Sequence, residues 1–231
     1  SVIAQFKCIK DNRSDKFNGM FPFYFLAWTT TPWTLPSNTA LTLGGKIEYS
    51  FVKTFNQYTR EKITVVLANS LIEKVFDKNF FNVKEEIKLD LFKESDAKIP
   101  YYVDSSFNGI DFENLKYERI WDESPLPIDN PDNAFRVILG DFVTTEDGTG
   151  IVHTAPTFGA DDYKAAKSAK PEVPPLLVPD KDGNKVPLVD LKGKFIDDIG
   201  MISGKYVKND YYQKDKMPEK SIDVEIAIKL K

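Results

Sequence analysis

The residues best able to do chemistry lie in two clusters far apart in the chain. The first is Thr29-Thr30-Thr31-Pro32-Trp33-Thr34-Leu35-Pro36-Ser37-Asn38, a short stretch dense in hydroxyls and stiffened by two prolines. The second holds the one histidine of the sequence, His153, within Gly148-Thr149-Gly150-Ile151-Val152-His153-Thr154-Ala155-Pro156, followed by Gly159-Ala160-Asp161-Asp162-Tyr163. A carboxylate can hold an amino group, while hydroxyls and backbone N–H groups can orient ester oxygens and a water. Each feature also has a plain structural reading. Threonine favours strands, a lone histidine often serves packing, and paired aspartates suit the start of a helix. The combination of all three turns the balance toward a site.

The elements around these clusters follow from pattern. The apolar run Phe21-Pro22-Phe23-Tyr24-Phe25-Leu26-Ala27 reads as a buried strand ending at the threonines. Pro32 and Pro36 bias the residues before them away from the helical region, so a stiff, irregular loop is expected there. Ile151–Pro156 reads as a second strand, and Lys164–Ala169 as a helix with its acids at the favourable end. Elsewhere the pattern predicts a strand over 1–10, a short strand over 39–43, and a hairpin pairing Tyr49–Phe55 with Ile63–Leu67. A helix over 70–76 would be opened by a capping box of Ser70 and Glu73. Loosely alternating strands fill 80–115, a proline- and acid-rich connection runs over 121–133, and 135–139 with 142–145 reads as two strands or one strand bent about Gly140-Asp141. Residues 180–220 read as brief strands and turns, and 221–231 as a helix with an imperfect cap.

Composition bounds the classes. With 231 residues, 42% apolar and 29% charged, the chain can bury a real core. No apolar run approaches the length needed to cross a bilayer. A net charge of −4 argues against a dedicated non-specific nucleic-acid binder but leaves room for contact with a single-stranded end. Cys8, the one cysteine, alternates with Val2, Ala4 and Phe6 and reads as a small buried hydrophobe in a protein of a reducing compartment. No Cys/His cluster offers a zinc site, and no glycine-rich phosphate loop occurs. The N-terminus starts in mid-pattern, without Met or a leader, as a domain cut from a longer chain would.

The two peptides, in this order, closely resemble the signature peptides of the editing domain of isoleucyl-tRNA synthetase. This is the module inserted into the catalytic domain of the class I synthetases for isoleucine, valine and leucine. Thr31 and Trp33 carry the isoleucyl assignment, since the valyl and leucyl relatives look like Thr-Thr-Arg-Pro-Glu or Thr-Thr-Arg-Pro-Asp here. Phe158, where bacterial members often have a second histidine, and the lysine-rich stretch after 180 look more like a eukaryotic cytoplasmic enzyme. The resemblance implies an α/β fold with a β-barrel-rich core and a few peripheral helices, a single editing domain over 1–231 that includes a 180–231 C-terminal extension.

It also implies an activity: hydrolysis of the ester that links valine, wrongly attached, to the isoleucine tRNA. A hydrophobic pocket separates side chains differing by one methylene too weakly, so a second sieve is needed. By the same resemblance Asp162, beside Asp161, would grip the α-ammonium. His153 would line the side-chain pocket and help exclude isoleucine. Thr29, Thr30 and Thr31 would surround the terminal adenosine and the ester, with Thr31 nearest the water or the 3′ end. Asn38 would complete the polar wall and Trp33 would shape a pocket edge. Hydrolysis would use a positioned water, with Thr30, Thr31, His153 and Asp162 as the catalytic set; a general base at His153 is the competing version. No metal or cofactor is expected in the domain, although the parent synthetase uses ATP. The expected partners are the 3′ end of tRNA(Ile) carrying valine and the rest of the synthetase, in a cytoplasmic, monomeric protein without membrane contact. The alternative is a non-catalytic tRNA-end or partner-binding module of the same fold.

Overall fold

The structure, a computed structural model, describes residues 1–230; the end of the predicted C-terminal helix, Lys231, lies outside them. At the centre is the strand that delivers the threonines, β2 (Phe23–Thr29), preceded by β1 (Val2–Lys7), its antiparallel partner along one edge. Two further strands share the other edge of β2. Its first half pairs in parallel with β5 (Lys62–Ala68), and Trp28 near its end pairs with Val152. Having neighbours on both sides leaves β2 little solvent, which is why it reads as a nearly continuous apolar run.

The remaining strands hang on these two junctions. The expected hairpin forms, with β4 (Glu48–Phe55) antiparallel to β5, and β7 (Ile99–Asn108) and β6 (Phe80–Asn82) extend that wing. On the other side β9 (Ile151–Thr154) lies between β2 and β3 (Ala40–Leu43), which in turn pairs with β8 (Arg136–Leu139). Residues 114–118 then bridge β8 and β1: Val137 N–H donates to the Leu115 carbonyl, and Glu118 N–H to that of Lys7. The sequence of pairings β1-β2-β9-β3-β8 returns to β1 through this segment, giving a closed ring of strands with a four-stranded wing. Closure covers the edges that β1 and β8 would otherwise present, while β6 ends the wing. The fold is thus mixed α/β, with a sheet-rich core and peripheral helices. β10 (Leu177–Pro179) and β11 (Lys185–Pro187) form a separate small ribbon.

Among the described residues three α-helices sit at the periphery: α1 (Ile72–Val75), α2 (Ala160–Ser168) and α3 (Ile222–Lys229). Several local expectations are corrected. The Ser70–Glu73 capping box does not form, because residues 69–71 make a 3-10 turn before the helix begins. Asn69 there is tied to strand β4 through Ser50 and Glu48. Residues 142–145 are not a strand; the chain leaves β8 at Gly140 and turns. The threonine loop is not irregular either. Pro32–Ser37 is a 3-10 helix with Pro32 in its first turn, where a missing N–H costs nothing.

Phe17, Phe23, Phe51, Phe107 and Phe112 form an aromatic knot under the wing, with Phe17 and Phe112 stacked at 4.8 Å between ring centroids. Residues beyond 180 join this same main core through Leu188, Phe195, Ile199, Ile202, Ile222 and Ile226. Phe112 is fully buried and also meets the rings of Phe25, Tyr49 and Phe51. Phe112→Ala should therefore lower unfolding stability by about 3–5 kcal/mol, read from urea denaturation at neutral pH. A loss below about 1 kcal/mol would mean that the knot collapses around the void instead of holding its shape.

Candidate functional site

The glycines of the second peptide are architectural. Gly150 has φ +73°, and a Cβ there would lie 2.4 Å from the Ala68 Cβ, so only glycine fits. The buried Tyr49 hydroxyl donates to the Gly150 carbonyl at 2.6 Å, and Ala68 N–H donates to the Thr149 carbonyl at 2.9 Å. This turn sets the register of β9, in which His153 alternates onto the same face as the core residue Ile151.

His153 is only 6% exposed, and both of its ring nitrogens are bonded within the protein. The directions of those bonds are determined by what surrounds them. The Asn38 amide nitrogen lies 2.9 Å from the Ala40 carbonyl, to which it must donate, and 2.8 Å from His153 Nδ1. The Asn38 oxygen accepts from the Tyr117 hydroxyl at 2.6 Å. Nδ1 of His153 is thus the acceptor, and Nε2 carries the proton. Nε2–H donates to Thr34 Oγ1 at 3.0 Å, and the Thr34 hydroxyl donates to the Thr31 carbonyl at 2.8 Å. One chain of bonds therefore runs from Tyr117 through Asn38, His153 and Thr34 to Thr31. Burial pushes the imidazole down to about 4, so it is neutral at physiological pH. With Nδ1 occupied by an amide, it has no free nitrogen to take a proton from a water.

The sequence-predicted residues divide by exposure. Thr30 and Thr31 are exposed beside this chain, and Thr31 Oγ1 lies 3.4 Å from Thr34 Oγ1. Thr29 is buried; its hydroxyl accepts the Thr31 N–H at 3.1 Å and turns the backbone at the end of β2. Asn38, expected in a polar wall, is 4% exposed with its oxygen and nitrogen both engaged, so it orients the histidine instead. Asp162 is half-buried in the first turn of α2, where its carboxylate accepts the Ala155 N–H at 2.9 Å and lies over Gly159. Burial raises its pKa; the Ala155 N–H opposes that rise, and neighbouring Asp161 adds to it. Asp161 itself is exposed and pairs loosely with Lys164 at 3.5 Å. Trp33 meets Phe158 edge-on at 5.0 Å between ring centroids, which brings the two peptides together a second time. Cys8 is buried, and burial pushes its thiol up to about 12.

With this geometry in view, comparison with known proteins gives a consistent result. No protein-family model matches the chain. Over its whole length it is 44% identical, across 242 residues, to the isoleucine–tRNA ligase of Cytophaga hutchinsonii, covering 20% of that protein. The corresponding enzyme of Bacteroides fragilis strain YCH46 is 45% identical over 249 residues, again all of this chain and 21% of the relative. That of Picrophilus torridus is 35% identical over 188 residues, 80% of this chain and 15% of the relative. The chain matches a segment of isoleucyl-tRNA synthetases, of the class I aminoacyl-tRNA synthetase family.

The matched segment is about a fifth of the length of the Cytophaga and Bacteroides synthetases. Among solved structures, the crystal structure of GlLeuRS-CP1 is similar with a TM-score of 0.46 and 16% identity, covering 71% of this chain and 58% of that one. The P. knowlesi cytosolic leucyl-tRNA synthetase editing domain gives a TM-score of 0.44 and 10% identity over 70% of this chain and 60% of that one. Such likenesses carry no chemistry by themselves. Two residues of the matched segment escaped the sequence reading of the site. Thr34 stood inside the quoted peptide without a role, and Tyr117 lies in the strand-bridging segment, where no motif marks it.

The neutral histidine has a consequence for stability. An unfolded imidazole protonates near 6.5, while the folded one resists until about 4. Between these values the unfolded state binds the extra proton, so stability falls as pH drops through that window and this group has no effect above it. The full contribution is of order 3 kcal/mol. The difference in urea stability between pH 7.5 and pH 4.5 should therefore be markedly smaller in His153→Gln than in the parent chain. An equal difference in both would show that His153 titrates normally in the folded protein.

Proposed function

We propose that this chain is the editing domain of an isoleucyl-tRNA synthetase, hydrolysing the ester of valine misattached to tRNA(Ile). What carries the reading is the single bond chain that joins the two signature peptides, with exposed Thr30 and Thr31 beside it and Asp162 bonded to the Ala155 N–H two residues past His153. In this proposal Asp162 holds the α-ammonium of the misattached valine, a charge-assisted contact suited to a half-buried carboxylate. Thr30 and Thr31 face the terminal adenosine and the ester, and place a water against the carbonyl. His153 is a wall of the side-chain pocket, held in one tautomer by Asn38 and Thr34. Both of its nitrogens being engaged favours the positioned-water version over a histidine general base. The ester of an aminoacyl group is intrinsically reactive, so orientation supplies most of what hydrolysis requires.

The proposed partners are the 3′ end of valyl-tRNA(Ile) and the rest of the synthetase polypeptide, which would use ATP elsewhere, in a cytoplasmic and monomeric enzyme. Valyl-adenylate is a second candidate substrate of the same pocket. No helix among the described residues is long and apolar enough to cross a membrane. The eukaryotic origin suggested by Phe158 gains no support from the Cytophaga and Bacteroides relatives, which are bacterial.

Two substitutions test the proposal in deacylation assays on the full synthetase. Asp162→Ala should slow valyl-tRNA(Ile) hydrolysis by about 10- to 100-fold, the cost of one charge-assisted hydrogen bond, with the fold retained although the Ala155 N–H loses its acceptor; unchanged hydrolysis would remove Asp162 from the site. His153→Ala should allow attack on correctly charged isoleucyl-tRNA(Ile). Continued rejection of isoleucine would take His153 out of the pocket wall.

A further inference from the structure

The 3-10 helix Pro32–Ser37 carries Thr34, and through it the link between His153 and Thr31, yet it begins without a cap of its own. Its N-cap residue Thr31 makes no side-chain capping bond, and Pro32 has no N–H to place. The N–H of Trp33 is then the first donor of the helix, and one left orphaned is costly where solvent is scarce. That donor is taken from across the molecule. Asp223, in the first turn of α3, accepts the Trp33 N–H at 2.8 Å, over a separation of 190 residues. α3 is itself well anchored. Ile222 and Ile226 are buried in the main core, Glu225 pairs with Lys205 at 2.6 Å, and Lys229 pairs with Glu123 while lying 4.6 Å from the centre of the Trp121 ring.

We propose that Asp223 is a positioning residue for the threonine loop, the carboxylate that fixes where the Pro32–Ser37 helix starts and hence where Thr30 and Thr31 stand. The loop is gripped at three points: the Trp33 backbone by Asp223, the Trp33 ring by Phe158, and the Thr34 hydroxyl by His153. The last two belong to the second signature peptide or its strand. Asp223 is the grip that comes from beyond residue 180, where α3 also packs against the loop, and that stretch thereby acquires a task in the site. This assignment rests on the editing reading for its effect on rate, but not for its effect on the loop itself.

The test uses the full synthetase carrying Asp223→Ala or Asp223→Asn. An asparagine can still accept the Trp33 N–H through its side-chain oxygen, whereas alanine cannot. Asp223→Ala should lower kcat for valyl-tRNA(Ile) deacylation about 10-fold or more, leave KM within about twofold, and speed amide hydrogen exchange in a peptide covering residues 32–38. Asp223→Asn should restore both kcat and protection to near the parent values. Equal kcat in the parent and the alanine variant, or exchange in 32–38 unchanged by it, overturns the assignment. So does an asparagine variant as impaired as alanine. If the parent itself fails to hydrolyse valyl-tRNA(Ile), the editing reading falls, while the exchange comparison still decides whether Asp223 holds the loop.

Discussion

The neutral, fully engaged imidazole of His153 is the constraint to which the rest of the site answers. A buried histidine must either find partners for both nitrogens or leave one of them unsatisfied in a place water does not reach. Here the amide of Asn38 decides which nitrogen accepts, because its own nitrogen faces the Ala40 carbonyl. Tyr117 then has to donate to the Asn38 oxygen, and its own burial holds its pKa well above the ordinary phenol value, keeping it a donor. At the far end, Thr34 can accept from Nε2 only by spending its own hydrogen on the Thr31 carbonyl. Every direction in the chain follows from one carbonyl.

That chain also explains why the strands are arranged as they are. β9 has to lie between β2 and β3 for the histidine to reach the residues that follow β2 on one side and precede β3 on the other. The barrel closure through 114–118 brings Tyr117 under the same ring: Tyr117 donates its N–H to the Phe135 carbonyl next to β8, and its side chain packs edge-on to Phe6 of β1 at 5.3 Å. The buried members come from different elements: His153 from β9, Thr34 from the 3-10 helix, Asn38 from the residue after that helix and Tyr117 from the bridging segment. The exposed Thr30 and Thr31 stand beside them. Thr31 is held from the buried side, its N–H donating to the Thr29 hydroxyl and its carbonyl accepting from Thr34.

The helix ends add a second layer. Asp162 accepts the Ala155 N–H just past the end of β9, which couples the start of α2 to the histidine strand. Its carboxylate occupies the space above Gly159 that a Cβ would fill, with the nearest carboxyl carbon 2.8 Å away, so a larger residue there would displace the acid. The same logic places Asp223 over the Trp33 N–H. In both cases a carboxylate meets a backbone donor at a chain reversal, and the two signature peptides are braced from opposite ends.

The sequence by itself determined the strands that carry the site and the local signals around them. Phe23–Thr29 was legible as buried because it is apolar on both faces, Ile151–Thr154 because it is bounded by a Gly-Thr-Gly turn and a proline, and the 48–55 and 62–68 hairpin because a polar connection separates two β-rich runs. The candidate residues of the site stood out by type and by their likeness to known peptides. Only the tertiary structure decided which of them face outward and which orient others. Asn38 and Thr29 look as exposed in sequence as Thr31, but Asn38 is bonded to the buried His153 and Tyr117, and Thr29 is the last, buried residue of β2. Tyr117 and Asp223 could not be found at all, because each acts through a contact with a residue far away in the chain, and no local periodicity or motif encodes a bond between distant positions.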